Sequence, residues 1–291
     1  MEPATQTLSI DGIRLCTFEW GRRTRGEPTY LLVHATGFHA RCWDQVVAHL
    51  GDRHVVAFDQ RGHGRSDAPP ITHWNVFGRD LASVVERLDL RDVVGVGHSM
   101  GGHAMTDAAA LRPERFRRLL LIDPVIAAPD DYGTGGWTVA PGGPEQHPTA
   151  RRKNRFDSAE QMVARFRSRP PYAGFDPACL RDYCTHGLVP APDGDGLVLA
   201  CAPATEASVY MTSRTNPGVH ESARAIDLPV EVIRAKLPPA DRDRMDFSSS
   251  PTWPGLAGEF RNGRELFLPD RTHFIPLESP KWTAERILAD S

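Results

Sequence analysis

The segment VGVGHSMGGHA, Val94 to Ala104, sets one serine, Ser99, between two glycines, Gly97 and Gly101. A short apolar run ends just before it and an alanine-rich run with helical spacing follows, so Ser99 falls at a strand-to-helix turn. Such a turn is sharp, and the glycines remove Cβ atoms that would crowd it. A hydroxyl held at a helix N-terminus, where N–H groups and the helix dipole stabilise negative charge, suits attack on an acyl carbon. That chemistry requires a base, an acid to orient it and donors for an oxyanion. Among twelve histidines, His273 in LFLPDRTHFIPLESP has the position of a base: it follows the last strand-like run and precedes the last helix, on a loop able to cross the strand ends. Backbone donors are expected from Met100, the residue after Ser99, and from Thr36 in LLVHATGFHARCW.

These side chains converge only if the intervening elements carry them to one edge of a sheet. Strand-like runs stand at 7–10, 13–20, 30–34, 54–58, 93–96 and 119–122. Helical patterns lie between several of them, the clearest being NVFGRDLASVVERLDL, with Phe77, Leu81, Val84, Val85 and Leu88 on one stripe. Apolar strands alternating with helices predict an α/β chain with a mostly parallel sheet covered on both faces. From about Ala127 to Ile226 the rhythm stops. A Pro- and Gly-rich stretch gives way to helices at 158–168, opened by a Ser158/Gln161 capping box, and from Asp176 with Pro177 at its first position. The strand pattern resumes at 229–235 and 264–269, completing eight strands, and a last helix runs from about Ser279 to Ala289. The expected division is a core of residues 1–126 and 227–291 with a mainly helical cap inserted at 127–226, an excursion long enough for a functional lid.

With 291 residues, 40% of them hydrophobic, and a net charge of −3, the chain can bury a large core without staples and lacks the basic excess of a general nucleic-acid binder. Five cysteines, Cys16, Cys42, Cys179, Cys184 and Cys201, are odd in number and lack metal-ligand spacing, which predicts free thiols in a reducing compartment. The opening MEPATQTLSIDG has neither a basic nor an apolar leader segment, and no window reaches the length of a membrane span, so a cytoplasmic location and no membrane partner are expected. No internal repeat is visible.

Read in order, HATGF, FDQRGHGRSD, GHSMGG, LLLIDP and THF resemble the motifs of the α/β-hydrolase family. The resemblance covers roughly residues 5–126 and 227–290; nothing in 127–226 matches at the motif level. It implies an α/β-hydrolase fold with an eight-stranded sheet, a Ser, acid, His order along the chain, a cap over the pocket, and neither metal nor cofactor. It also implies a framework role for Asp59, which would hold the 61–64 loop. The acid departs from the commonest family pattern. An Asp is usual a few residues past the seventh strand, where VIRAKLPPADRDRMDF offers Leu237 and Pro238 instead. The family's other arrangement puts the acid after the sixth strand, at Asp123 in LLLIDPVI. The alternatives, Asp241, Asp243 and Asp246, would need a longer, less constrained loop to fold back to His273, so Asp123 is preferred.

A serine at the elbow points to hydrolysis through an acyl-enzyme, with an ester as the default small-molecule substrate and thioesters, lactones, amides and some C–C bonds as further options. A slow ligand receptor or a lyase on the same scaffold is the alternative of another class. Tyr132, Trp137, Phe166, Tyr172, Phe175, Tyr183 and Tyr210 would either line an apolar pocket or form the cap's own core. The runs at 151–155 and 164–169 carry a local basic excess that would attract an anionic substrate or form a solvated face. Self-association is left open.

Overall fold

The structure is a computed structural model that describes residues 2–133, 143–239, 246 and 248–289. The chain starts with an antiparallel pair, β1 (Ala4–Ile10) and β2 (Ile13–Trp20), turned by an Asp11–Gly12 pair with positive φ at both residues. Alternation follows: β3 (Thr29–Val33), α1 (Asp44–Leu50), β4 (Val55–Phe58), α2 (Asn75–Arg87), β5 (Val93–His98), α3 (Met100–Leu111) and β6 (Phe116–Ile122). Then come β7 (Arg155–Phe156), α4 (Ala159–Phe166), α5 (Pro177–His186), β8 (Leu188–Pro190), β9 (Leu197–Leu199), α6 (Pro203–Met211) and α7 (Val219–Ala225). The chain closes with β10 (Pro229–Arg234), β11 (Asn262–Phe267), α8 (Ile275–Glu278) and α9 (Pro280–Leu288).

Eight strands make one sheet in the order β1-β2-β4-β3-β5-β6-β10-β11, antiparallel only where β2 meets β1 and β4. Side-chain alternation explains its two coats. Leu31 and Val33 join one apolar cluster with Phe77 and Leu81 of α2 and Ala104 and Ala108 of α3. Tyr30 and Leu32, one step out of phase, join Val46 and Leu50 of α1 and Ala284 and Ile287 of α9 on the opposite face.

The described residues of 127–226 add no strand to this sheet. They contain a separate three-stranded antiparallel sheet, β7-β9-β8, too short in each strand to leave a periodic signal in the sequence. Ser158 caps α4 and Asp176 caps α5, each side chain accepting N–H groups of the first turn, as their residue types predict. Phe156, Met162, Phe166, Phe175 and Tyr183 pack on Phe38 and Phe274, so this unit rests on the loops that follow β3 and β11. The last helix of the segment behaves differently: Val219 and Ala223 of α7 pack in the main core beside α3. No helix among the described residues is long and apolar enough to cross a membrane.

Candidate active site

The strand-to-helix turn forms as its glycines require. Ser99 has φ 58°, ψ −119°, a conformation costly for a residue with a Cβ, and is held there by its N–H on the Ile122 carbonyl (3.0 Å). Its own carbonyl accepts from Gly102, His103 and Val125. A Cβ on Gly97 would lie 2.4 Å from the Gly101 carbonyl oxygen, and one on Gly101 would lie 2.2 Å from that of Val33. The two glycines therefore let the start of α3 press against the ends of β5 and β3.

Asp123 and His273 reach the same place from neighbouring strands. Asp123 follows the last residue of β6, at φ 46°, and its N–H extends the ladder to the Ile233 carbonyl of β10 (2.7 Å). His273 sits between β11 and α8. Its Nδ1 is 2.6 Å from Asp123 Oδ2 and its Nε2 is 2.9 Å from Ser99 Oγ, in one buried line. The other Asp123 oxygen, Oδ1, accepts from the Ala235 N–H (3.1 Å) and the Ser250 hydroxyl, and lies 3.2 Å from the Thr252 hydroxyl. Two hydrogen bonds fix the imidazole's backbone. The His273 N–H donates to the Ser248 carbonyl (2.9 Å), and His98 Nε2–H donates to the His273 carbonyl (2.8 Å). Burial pushes His98 down to about 3, so it is neutral in the folded protein.

Of the other candidate acids, Asp246 instead accepts the Ser248 N–H at 2.8 Å, while Asp241 and Asp243 lie outside the described residues, as does Trp137. Thr36 and Met100 lie side by side, the Thr36 hydroxyl 3.5 Å from the Met100 sulfur. Met100 opens α3, so its N–H has no acceptor within the helix. The loop carrying Thr36 is pinned from beneath. His34 Nε2 accepts the Gln60 N–H (3.0 Å), and His63 Nε2 accepts the Gly37 N–H (3.0 Å), with burial holding both imidazoles neutral. Asp59 accepts the N–H groups of Ala40 and Arg65, both at 2.8 Å, bracing that loop and the 61–65 turn together.

A cavity of about 80 Å³, room for several waters, opens on Ser99, His273 and Thr36. Its walls are mostly apolar, with Phe38, Trp74, Val125 and Phe274 among them. Tyr210 lines it, but Phe166, Tyr172, Phe175 and Tyr183 stack on one another as the core of the inserted unit. Neither basic run supplies a lining cation. Arg152 is buried against Glu206 (2.5 Å) and the hydroxyls of Tyr172 and Tyr183, and Arg155 pairs with Asp193. Among the described residues the cation that does line the cavity is Arg214, in the turn after α6. Ser249 lines it too, with a buried hydroxyl that has no partner among the described residues. Sequence reasoning missed both, because neither stands in a motif and only the fold of 127–226 and of the segment after β10 brings them in. From Ser249 to Thr252 the roles alternate: Ser250 and Thr252 face Asp123, while Ser249 and Pro251 face the cavity.

Among the described residues one set offers metal-type ligands, Asp44, Asp182 and His186. Protein donors already satisfy it, since Arg41 pairs with Asp44 (2.6 Å) and the Gln45 amide donates to Asp182 (2.7 Å). The five cysteines are buried and unbridged.

The profile of the alpha/beta hydrolase family matches residues 30–286. The chain belongs to the alpha/beta hydrolase family. Among its relatives, the chain is 30% identical over 202 residues to "Type I acyl-CoA thioesterase mpaH" of Penicillium brevicompactum, across 66% of this chain and 43% of that protein. It is 36% identical over 119 residues to "Non-heme chloroperoxidase" of Streptomyces lividans, across 40% and 42%. It is 35% identical over 104 residues to "Lipase LipV" of Mycobacterium tuberculosis, across 35% and 39%. The matched stretches thus span less than half the length of these relatives. Among solved structures, E-2-(acetamidomethylene)succinate hydrolase superposes with a TM-score of 0.74 over 98% of this chain and 97% of its own, at 21% identity, a likeness of fold.

Proposed function

We propose that this hydrolase cleaves a carboxylic ester, or a related thioester or lactone, through an acyl-enzyme on Ser99. The observation that carries the reading is the buried line from Ser99 Oγ through His273 to Asp123, at 2.9 and 2.6 Å, opening on the cavity. A carboxylate only accepts, so the nitrogen facing Asp123 is Nδ1–H, which leaves Nε2 to take the Ser99 proton. As Ser99 attacks, charge develops on the substrate oxygen beside the N–H groups of Thr36 and Met100, the donors assigned to it here. The protonated imidazole then donates to the leaving group, and a water activated by His273 releases the acid.

Residues 127–226 serve in this reading as the cap that closes the cavity, and core residues 1–126 and 227–291 carry the chemistry. The unbridged cysteines favour a cytoplasmic setting. The test is initial rates on p-nitrophenyl esters from acetate to long-chain acyl, with an acyl thioester alongside. Ser99→Ala is expected to lower kcat by roughly 10⁴ to 10⁶. Residual activity within tenfold of wild type would remove Ser99 from the mechanism.

A further inference from the structure

We infer that the cavity takes an acyl substrate bearing a carboxylate, bound by Arg214 with the Ser249 hydroxyl as a further donor. The inference rests on the proposed hydrolysis at Ser99 and adds the class of acyl group.

Arg41, Arg61, Arg115, Arg152 and Arg234 are all largely shielded, and each sits on a carboxylate at 2.5–2.7 Å. Arg214 is half-buried as well, yet makes no ion pair among the described residues; its one hydrogen bond is a long 3.4 Å contact to the Asp131 carbonyl. A guanidinium at an apolar wall loses hydration, and only an anion or several good acceptors restore it. Among the described residues the lining holds no carboxylate to do so. Ser249 repeats the pattern in neutral form: the residue is 1% exposed and lines the same cavity, and its hydroxyl has no partner among the described residues. A buried hydroxyl without a partner at a cavity wall is a donor that a ligand acceptor would satisfy.

The pairing chemistry selects the anion. A planar guanidinium matches the two oxygens of a carboxylate with parallel hydrogen bonds. One cation balances one carboxylate, whereas a phosphate monoester would leave a second charge uncompensated in an apolar cavity. The sequence signals for anion binding, the runs at 151–155 and 164–169, are not in this wall; the charge is delivered by a residue from neither.

The test compares monomethyl glutarate with methyl pentanoate, which differ only at the distal group, by pH-stat. For wild type the ratio of kcat/KM, acid over neutral, is expected to be at least about tenfold, the scale of a charge-assisted pair. In Arg214→Ala the ratio is expected to fall to about one, mainly through KM, and Arg214→Lys should keep part of it, separating charge from shape. Because both substrates are read on the same protein, a general loss of folded enzyme cancels. A wild-type ratio near one, or a ratio unchanged in Arg214→Ala, overturns the inference. If wild type hydrolyses neither ester, the proposed hydrolysis has failed, and calorimetry with glutarate against glutaramide still decides the site. Arg214-dependent binding of glutarate alone supports it, and no binding, or equal binding in Arg214→Ala, overturns it.

Discussion

Asp123 meets three donors with two oxygens, the Thr252 hydroxyl beside them giving its proton to the Pro124 carbonyl, and their arrangement leaves no good place for an amide. One oxygen takes His273 Nδ1–H; the other takes the Ala235 N–H with two hydroxyls nearby. The hydroxyls can rotate, but the Ala235 N–H cannot change from donor to acceptor. In Asp123→Asn the amide oxygen is therefore drawn to Ala235 and the NH₂ turns to His273, forcing the other tautomer, whose Nε2–H cannot accept from Ser99. A loss of roughly 10³ to 10⁴ in kcat is expected with the fold intact, against a change within roughly tenfold for Asp246→Asn, whose carboxylate accepts the Ser248 N–H. Steady-state rates beside circular dichroism check both. An essential Asp246 would reverse the assignment. The sequence left these carboxylates open because a motif fixes which strand end an acid follows, not which of two strand ends the base approaches. The hydroxyls of Ser250 and Thr252 were invisible for the same reason: serine and threonine in a loop carry no sign of what they face.

At the scale of elements, the elbow depends on close approach more than on flexibility. Gly101→Ala would drive a methyl into the Val33 carbonyl, an atom that belongs to a central strand and cannot swing away. It is expected to cost about 1–3 kcal/mol, with activity falling further because Met100 and Thr36 are forced apart. Gly258→Ala is the control: nothing lies within 4 Å of its added Cβ, so stability should hold or rise by about 0.4–1 kcal/mol. Thermal melts of the two proteins decide, and equal melting would show that the elbow relaxes. Elements with strong local signals were legible here. The stripe of α2, the caps of α4 and α5 and all eight sheet strands could be read directly. The strands β7, β8 and β9 could not, since two or three residues stabilised by partners far along the chain leave no period to read.

For the whole molecule, the buried and half-buried histidines set the response to acid. His39 and His98 are pushed down to about 3 and His63 and His186 to about 4, and His34 and His103 are also lowered, burial being the main cause in each. Unfolded, these groups take a proton near 6.5; folded, they refuse it until far lower. From pH 6.5 down to about 4 the unfolded chain binds more protons, so stability falls as pH falls. Asp44 and Asp59 oppose this, since burial raises both to about 6, and a raised carboxyl favours the folded state below that pH. The histidines outnumber them. The calorimetric melting temperature is expected to fall steadily from pH 6.5 to 4, and a flat or rising profile would contradict the balance. The alternation after β10 bears on how such a molecule can diverge. Within Ser249 to Thr252, every second residue lies against Asp123 and those between line the cavity. Substitution at Ser249 or Pro251 can retune selectivity one side chain at a time, but gaining or losing a single residue there would exchange the two sets of roles. Descendants of this gene should therefore vary in letters at this stretch while keeping its length.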